Sequence, residues 1–538
     1  MPSTHRLAAP LFSCLAAVAM LGAPRSAAAL TGDDTTSPAT SASLHDLAAP
    51  QGELDRAIAQ YKAKRPMAAS LMLTGLLRAG ARPEERARIL YYLGRSFRAL
   101  EMPHSAEHHF LLVLKEGRED PHFSPALAQL VQLAKQTNDA SALLRVVSTI
   151  PPSAYPRGAR SELHYLAGVR HHNAGRLREA GEAFERVSPK SRHYARSEYY
   201  RGVISQQQGD ARSAARSFRE VIRADATHQQ HGASDAETGA LREMAILNTG
   251  RLHYGLARYE HAAKWYALVD NQSQVWPTAL FEHAWADAME RNENDSLGKL
   301  LTVRSPFFRD DHFLPESQVL RALTYFSLCE YETVEDILGE FERRHQPMHA
   351  EMTSFVDRYS SPEGEQLADQ AWRTYFGAQS TTETVLPSSL FAKVLRNREL
   401  ASTVRQLRLI DEEQARIAKQ KARWRDTVGP GLVATLEADR LRLERRAGLL
   451  FLREMARQSN KVADLLTQSE LIRFEVVDAL RVTFADRALH PVAAVVSHED
   501  PIFATSPNFV FWPFNGEFWE DELGSYTYTE PGACRMDG

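Results

Sequence analysis

Two stretches of the sequence repeat one pattern of small and aromatic residues at an offset of 34 residues. The offset carries Gly168, Gly175, Ala180, Phe184 and Val187 onto Gly202, Gly209, Ala214, Phe218 and Val221. A further offset of 48 residues carries four of these positions onto Gly250, Ala262, Tyr266 and Val269, with a polar insertion at 227–240 between them. A period of this length predicts a stack of repeated supersecondary units in place of one compact core.

The composition favours helices for each unit. Ala, Leu, Arg and Glu are abundant, and these residues have high helix propensity. Each unit then reads as two antiparallel helices, in which small residues such as Gly202 and Ala214 allow close approach. Aromatic residues such as Phe218 fill the gap to the next unit. These positions are expected to be core residues, because one helix pair cannot bury its apolar face alone.

The pattern resembles the tetratricopeptide repeat, in which Leu-Gly or Ala and an aromatic residue are followed by Ala, Phe or Tyr, and Pro. The unit from Ala87 fits best, with Leu90, Leu93, Gly94, Phe97, Ala106 and Phe110 at the pattern positions. Further units begin at Pro121, Ser161, Ala195, Glu243, Pro277 and Pro315, and a degenerate one lies near 54–80. The resemblance covers a solenoid over 51–345 and implies a right-handed superhelix with a concave groove.

In that family the groove is lined from the first helix of each pair. Carrying the register over gives a predicted partner-binding set: Arg88, Tyr91, Arg95, Arg98, Tyr165, Arg196, Tyr199, Arg251, Tyr254, Phe281 and Trp285. Tyr, Trp and Arg are the residues that interfaces favour as anchors. Arg88, Arg95 and Arg98 would suit an acidic segment or a peptide carboxylate. The alternative is that the aromatic members only pack against adjacent helices.

The first residues have the pattern of an export signal. Arg6 precedes an apolar stretch from Leu7 to Gly22, and Ala27-Ala28-Ala29 offers the small residues that signal peptidase requires. We predict a signal peptide over 1–29, a small and polar disordered spacer over 30–50, and a periplasmic location. The alternative is a lipoprotein signal with Cys14 as the acylated residue. The apolar run continues past Cys14, which favours the first interpretation.

The remainder of the chain departs from the repeat. We predict a connector over 346–386, an antiparallel coiled-coil-like helical hairpin over 387–490, and an irregular aromatic tail over 491–538. The hairpin is indicated by Ile410, Ile417 and Trp424, followed by Leu436, Leu443 and Leu450, all at seven-residue spacing, with Gly429-Pro-Gly431 as the turn. The heptads are imperfect, so packing of the hairpin on the solenoid is the alternative. The fold class predicted is therefore all-α.

The tail and the cysteines carry two further expectations. Nine aromatic residues lie between Phe503 and Gly538, which is unlike a disordered tail, so we expect the tail to dock on its own chain or on an envelope partner. Beyond the predicted signal peptide only Cys329 and Cys534 remain. Two cysteines make no disulfide framework, and the sequence favours two separate thiols over one bridge.

Signatures of catalysis are missing from the sequence. It contains no Gly-x-Ser-x-Gly, Cys-x-x-Cys or His-Glu-x-x-His motif and no phosphate-binding Gly-Lys-Ser loop. His345, His349 and Glu351 could share one helix face, but without a fourth ligand we expect them in a solvated linker. The net charge of −4 gives no basic face for nucleic acid. We predict a protein that is not an enzyme, with no cofactor, no metal and no nucleic-acid partner.

These features together predict a periplasmic scaffold in a multiprotein envelope complex, with other envelope proteins as partners and a peripheral association with the outer membrane. The arrangement is similar to repeat proteins of myxobacterial gliding-motility machinery. That resemblance lies in Ser305-Pro-Phe-Phe-Arg309, Phe313-Leu-Pro-Glu-Ser317, Cys329-Glu-Tyr331 and the ending Asn515-Gly-Glu-Phe-Trp-Glu-Asp-Glu-Leu-Gly524. The alternatives are a cell-wall or outer-membrane assembly factor and, in a different class, a peptidoglycan-modifying enzyme.

Overall fold

The protein is all-α over the residues that the computed structural model describes, which are 51–223, 235–309, 312–360, 367–376, 384–489, 515–530 and 532. These ranges contain helices and connecting turns and no β-strand. The predicted signal peptide, the predicted spacer, and residues 491–514, 531 and 533–538 of the predicted tail lie outside them. None of the helices in these ranges is both long enough and apolar enough to cross a membrane.

Within the described ranges up to Ser360, eight helix pairs follow one another, and each second helix packs on the first helix of the next pair. The pairs are α1 Gln51–Lys62 and α2 Pro66–Arg78, α3 Pro83–Ala99 and α4 Pro103–Lys115, α5 Phe123–Thr137 and α6 Ser141–Val146, α7 Arg160–Asn173 and α8 Leu177–Glu185. They continue with α9 Tyr194–Gln207 and α10 Ala211–Arg223, α11 Asp235–Gly255 and α12 Tyr259–Tyr266, α13 Trp276–Met289 and α14 Glu293–Val303, and, after the short α15 Pro306–Arg309, α16 Glu316–Ser327 and α17 Tyr331–Ser360. This succession is a helical-repeat solenoid.

One contact recurs in four of the pairs and explains the repeat found in the sequence. A glycine of the first helix lies directly against an aromatic ring of the second, in the pairs Gly94–Phe110, Gly168–Phe184, Gly202–Phe218 and Gly250–Tyr266. A Cβ atom added at any of these glycines would lie 2.5–2.7 Å from a ring carbon. All four rings are buried. Glycine is therefore needed for the close approach of the two helices, and the ring seals the space between them.

This contact predicts that alanine substitutions at two glycines change the stability in opposite directions. We expect Gly202→Ala to destabilise the protein by about 1–3 kcal/mol, because the new methyl group overpacks a closed core. Gly181→Ala is the matched control, since Gly181 lies in helix α8 with nothing within 4 Å of its added Cβ. Alanine there gains helix propensity and should stabilise slightly. Guanidinium denaturation followed by circular dichroism measures both, and equal effects would contradict the packing role.

The helices after the repeats differ from the prediction in their boundaries. Helix α17 continues through the predicted boundary at 345 and ends only at Ser360, with Pro347 inside it. It is followed by α18 Ala368–Phe376, α19 Ser388–Leu395, α20 Arg398–Ala418, α21 Ala422–Thr427 and α22 Gly429–Leu489. The connector predicted at 346–386 is thus largely helical, because the sequence up to Ser360 keeps apolar residues on the buried face of α17.

The predicted turn of the hairpin is also displaced. The first arm of the predicted hairpin is not one continuous helix up to residue 428. It breaks before Arg398, where the Asn397 side chain accepts hydrogen bonds from the amides of Glu399 and Leu400. It breaks again between α20 and α21. Gly429-Pro-Gly431 does not form the loop between the two arms of the hairpin. These residues are the first helical turn of the 61-residue helix α22. Proline is well tolerated there, because the first amides of a helix have no intrahelical partner.

The hairpin helices pack on the solenoid and not only on each other. Helices α17 and α18 pack along α22, and α20 packs against both α22 and α4. Helix α4 begins after Met102, which offers no capping side chain. Glu413 of α20 replaces the cap by accepting hydrogen bonds from the backbone amides of His104 (2.8 Å) and Ser105 (3.0 Å). A buried carboxylate at a helix N-terminus satisfies donors that would otherwise be unpaired.

Candidate partner-binding surface

The predicted partner-binding residues lie on the first helices of successive pairs, where they contact neighbouring units. Their burial divides them into two groups. Tyr91, Tyr165, Phe281 and Trp285 are at most 8% exposed. A partner cannot reach these four side chains unless the helices separate, so burial restricts the predicted set to its other members.

Tyr165 shows why the buried members are core residues. Its ring stacks on the ring of His193 in the next pair, with centroids 4.6 Å apart. Burial raises the pKa of Tyr165 to about 12, which keeps the hydroxyl neutral. The aromatic residue at this repeat position therefore joins one unit to the next. This is the packing alternative that the sequence left open.

Two of the predicted arginines are neutralised by carboxylates. Arg88 donates to Asp55 of α1 at 3.0 Å. Arg251 forms a forked pair with Glu282 of α13, with Nε 3.0 and 2.9 Å from the two carboxylate oxygens. The Glu282 charge is the main influence that raises the pKa of Arg251 against the effect of burial. Both arginines thus join neighbouring first helices and have little charge left for a partner.

Arg95 and Arg98 differ, because their partners are neutral. Arg95 donates from Nε to the Tyr61 hydroxyl at 3.1 Å and lies over the Tyr61 ring, 5.1 Å from its centroid. Arg98 donates to the side-chain carbonyls of Gln136 (3.1 Å) and Gln129 (2.5 Å). No ion pair joins either arginine to a carboxylate in the described part of the chain. Both are half-buried, so the surface holds two positioned positive charges without a counter-charge.

The remaining predicted residues form a second cluster further along the same surface. Arg196 is hydrogen-bonded to Tyr165, and the Tyr199 hydroxyl accepts from Asn248 Nδ2 at 2.7 Å. Tyr254 packs edge-on against Tyr259, with ring centroids 5.1 Å apart. The Tyr254 hydroxyl is buried and has no hydrogen-bond partner among the described residues. Because this hydroxyl is buried, it adds no accessible polar group to the surface, and the Tyr254 ring serves in packing.

Sequence reasoning missed one residue of this cluster. Arg398, the first residue of α20, donates to the Tyr200 hydroxyl at 2.7 Å and lies 5.9 Å from the centroid of the Tyr200 ring. The neighbouring tyrosines raise the pKa of Arg398 further above its ordinary value. No repeat or spacing connects Arg398 to Tyr200, which lies about two hundred residues earlier. Only the docking of the C-terminal helices on the solenoid brings them together.

The described residues hold no group of three or more His, Cys, Asp or Glu side chains arranged for a metal ion. The expectation that His345 lies in a solvated linker is wrong. Its ring is buried within α17, and Nδ1 donates to the carbonyl of Phe341 at 2.8 Å. Glu351 of the same helix accepts instead from the backbone amide of Val385 at 3.0 Å. These side chains stabilise the packing around α17.

A cavity of about 520 Å³ lies between α4, α6 and α22. Its walls combine apolar residues such as Leu111 and Ile150 with charged residues at the joint between solenoid and long helix. There His104 Nε2 lies 2.9 Å from the Asp439 carboxylate. Glu107 lies 3.7 Å from Arg145, and burial raises the pKa of Glu107 to about 7. This cluster ties the two halves of the described chain together.

The expectation that the two cysteines are separate thiols is also wrong. Cys329 is disulfide-bonded and is not a separate thiol. Gly532 lies against Leu328, next to Cys329, with an added Cβ 3.3 Å from the Leu328 side chain. Cys534, the cysteine that the sequence offers as its partner, lies outside the described residues. The described part of the tail lies on the solenoid, where the amide of Gly524 donates to Thr302 Oγ1 at 3.0 Å.

No family model matches the sequence, and no curated protein matches it. Among solved structures the chain is similar to a circular tandem repeat protein with novel repeat topology and enhanced subunit contact surfaces. The identity is 13%, the match covers 82% of this chain and 90% of that one, and the TM-score is 0.12. The description of the fold therefore rests on the helix packing given above.

Proposed function

We propose that the protein is a scaffold of the tetratricopeptide class that binds an acidic segment of another protein along the first-helix surface of its solenoid. The observation that carries the proposal is the pair Arg95 and Arg98, held in place by tyrosine and glutamine and not by carboxylates. Guanidinium groups that are fixed in position and not neutralised are suited to carboxylates, because charge-assisted hydrogen bonds are the strong ones.

We further propose a cellular location and a class of partner for the protein. The export-type N-terminus supports work in the periplasm, with proteins of the cell envelope as partners. The short stretches from Ser305 to Arg309 and from Asn515 to Gly524 support a place in gliding-motility machinery. In that setting a non-catalytic repeat protein would hold other components together. A helical-repeat fold supplies the binding surface, and the residues on that surface decide the partner.

The experiment is crosslinking in intact cells followed by affinity capture and mass spectrometry. The full chain is compared with Arg95→Ala/Arg98→Ala and with the control Arg178→Ala/Arg223→Ala, whose arginines lie on second helices with side chains at least 69% exposed. We expect captured envelope proteins to fall about tenfold or more in the first variant, because each lost charged hydrogen bond contributes about 1.5–3 kcal/mol. The control should capture like wild type.

Salt provides a second measurement on the captured complex. If the arginines bind an acidic segment, raising salt from about 0.05 to about 0.5 M should weaken wild-type binding, because screening becomes shorter in range. The Arg95→Ala/Arg98→Ala variant should be much less sensitive. Capture that is equal in all three proteins and independent of salt would overturn the proposed surface.

A further inference from the structure

The C-terminal segment 524–530 lies across the solenoid and is held mainly through its backbone. The amide of Gly524 donates to Thr302 Oγ1 at 3.0 Å. At the other end, the Asn294 side chain contacts the backbone of Glu530 twice: Oδ1 accepts from the amide at 3.0 Å, and Nδ2 donates to the carbonyl at 3.3 Å. Asn294 and Thr302 both belong to α14, two turns apart. Paired side-chain contacts to one residue's amide and carbonyl are a way of holding an extended peptide.

Between these contacts, a glycine of α14 allows the backbone of the segment to approach the helix closely. The carbonyl group of Tyr526 lies directly over Gly298 of α14, where an added Cβ would be 2.1 Å from the carbonyl oxygen. Glycine is disfavoured inside a helix, so the close backbone approach gives it a reason to be there. At Gly524 the backbone has a φ of +90°, and an added Cβ would lie 3.1 Å from the Trp276 ring. Both sides of the contact thus require glycine.

One side chain of the segment adds to these backbone contacts. Tyr528 packs against the apolar cluster formed by α13, α14, α16 and α17 with the last part of α22. Beyond it, Gly532 reaches Leu328, beside the disulfide-bonded Cys329. The contacts that hold residues 524–530 are therefore non-covalent. Nothing in these contacts depends on the segment belonging to the same molecule.

We propose that Asn294, Gly298, Thr302 and Trp276 form a binding site for an extended peptide, filled here by the chain's own residues 524–530, and that a second copy can supply this segment when the disulfide is reduced. The site is separate from the first-helix surface of Arg95 and Arg98. The occupant in the second copy is identical in sequence, so every contact described above can be remade between molecules. With Cys534 inferred as the partner of Cys329, the disulfide favours the intramolecular arrangement because it keeps the segment beside its own site.

The first test uses a fluorescent synthetic peptide with the sequence of residues 520–532. The receptor is full-length Gly524→Val in a phosphine reductant. Valine at a φ of +90° against Trp276 should displace the chain's own segment while leaving Asn294, Gly298 and Thr302 unchanged, and a protease-accessibility comparison with wild type checks the displacement. We expect saturable binding by fluorescence anisotropy, and at least tenfold weaker binding to Gly524→Val/Gly298→Ala. Gly524→Val/Gly181→Ala is the matched control and should bind as the receptor does. Absence of binding to Gly524→Val would overturn the site.

The second test asks whether a second copy is the occupant. Gly298→Ala has a blocked site and an intact segment, whereas Gly524→Val has the reverse. Mixed under reducing conditions, the two should form a one-to-one complex by sedimentation velocity that neither forms alone and that Gly524→Val/Gly298→Ala does not form with either. Asn294→Ala adds no bulk to α14 and removes the two side-chain contacts to Glu530. When placed in the Gly524→Val partner, it should weaken the complex. A mixture that sediments as the separate proteins would overturn exchange between copies.

Discussion

Replacing Trp424 by alanine should lower the free energy of unfolding by about 3–5 kcal/mol, the range for removing a buried aromatic side chain. Among the described residues, Trp424 is the largest fully buried side chain, at 2% exposure, and it lies in α21 between the long helices α20 and α22. Its ring nitrogen donates to Ser70 Oγ of the first helix pair at 2.9 Å. The substitution removes this contact and leaves a cavity at the joint between the first helix pair and the C-terminal helices.

Guanidinium denaturation followed by circular dichroism measures the effect, because fluorescence changes when a tryptophan is removed. Trp519→Ala is the control, since that side chain is 58% exposed in the tail and should change stability little. Trp424→Phe should lie between the two, because it keeps most of the apolar surface and loses the hydrogen bond to Ser70. A loss below about 1 kcal/mol for Trp424→Ala would mean that the ring does not join the C-terminal helices to the solenoid.

The heptad spacing identified the buried side of these helices but not what covers it. Ile410, Ile417 and Trp424 are all buried, as the seven-residue spacing predicted. Their partners include residues of the first repeat pairs, in one apolar cluster with Leu436 and Leu443 of α22. Periodicity reports which face of a helix is apolar, whereas its partner depends on the path of the chain between them. For this reason a coiled-coil hairpin and a hairpin packed on the solenoid have the same sequence pattern.

The predicted partner-binding residues also divide into a part that the sequence pattern predicts and a part that it does not. The register correctly placed Arg95 and Tyr165 on first helices, because the glycine and aromatic repeats fix each pair. It could not separate the two by exposure, since exposure depends on side chains of the neighbouring units. Tyr165 is covered by His193 at the start of the following pair, whereas Arg95 contacts Tyr61 of the preceding pair and stays half-buried. The peptide site at Gly298 was not predicted at all, because a lone glycine in a helix has many explanations from sequence alone.

The joint between α4 and α22 should also respond to pH, through Glu107. Burial raises the pKa of Glu107 from 4.5 to about 7, with the nearby His104 and Arg145 opposing the shift. The folded protein therefore binds a proton here that the unfolded chain releases, and the stability contributed by the protonated carboxyl is lost as pH rises from about 4.5 to about 7. The size of the loss is about 3 kcal/mol, from the free-energy equivalent of the pKa change.

The comparison of wild type with Glu107→Gln isolates this effect. His109 of the same helix has its pKa lowered to about 4 by burial, so its neutral form favours folding and its contribution is lost as pH falls below about 6.5. The two slopes oppose each other, and the wild type alone can show little net change. Because both proteins share His109, their difference in unfolding free energy should move in favour of Glu107→Gln by about 3 kcal/mol between pH 4 and pH 8.

Denaturation at pH 4, 5.5, 7 and 8 gives this difference directly. Glu290→Gln, on an exposed turn after α13, serves as the control and should run parallel to wild type throughout. If the Glu107→Gln curve were also parallel, the carboxyl would be solvated in solution and the cavity beside it open to water. If the predicted divergence appears, a neutral carboxyl belongs to the joint near neutral pH. The docking of the long helix on the solenoid then weakens as the surroundings become alkaline.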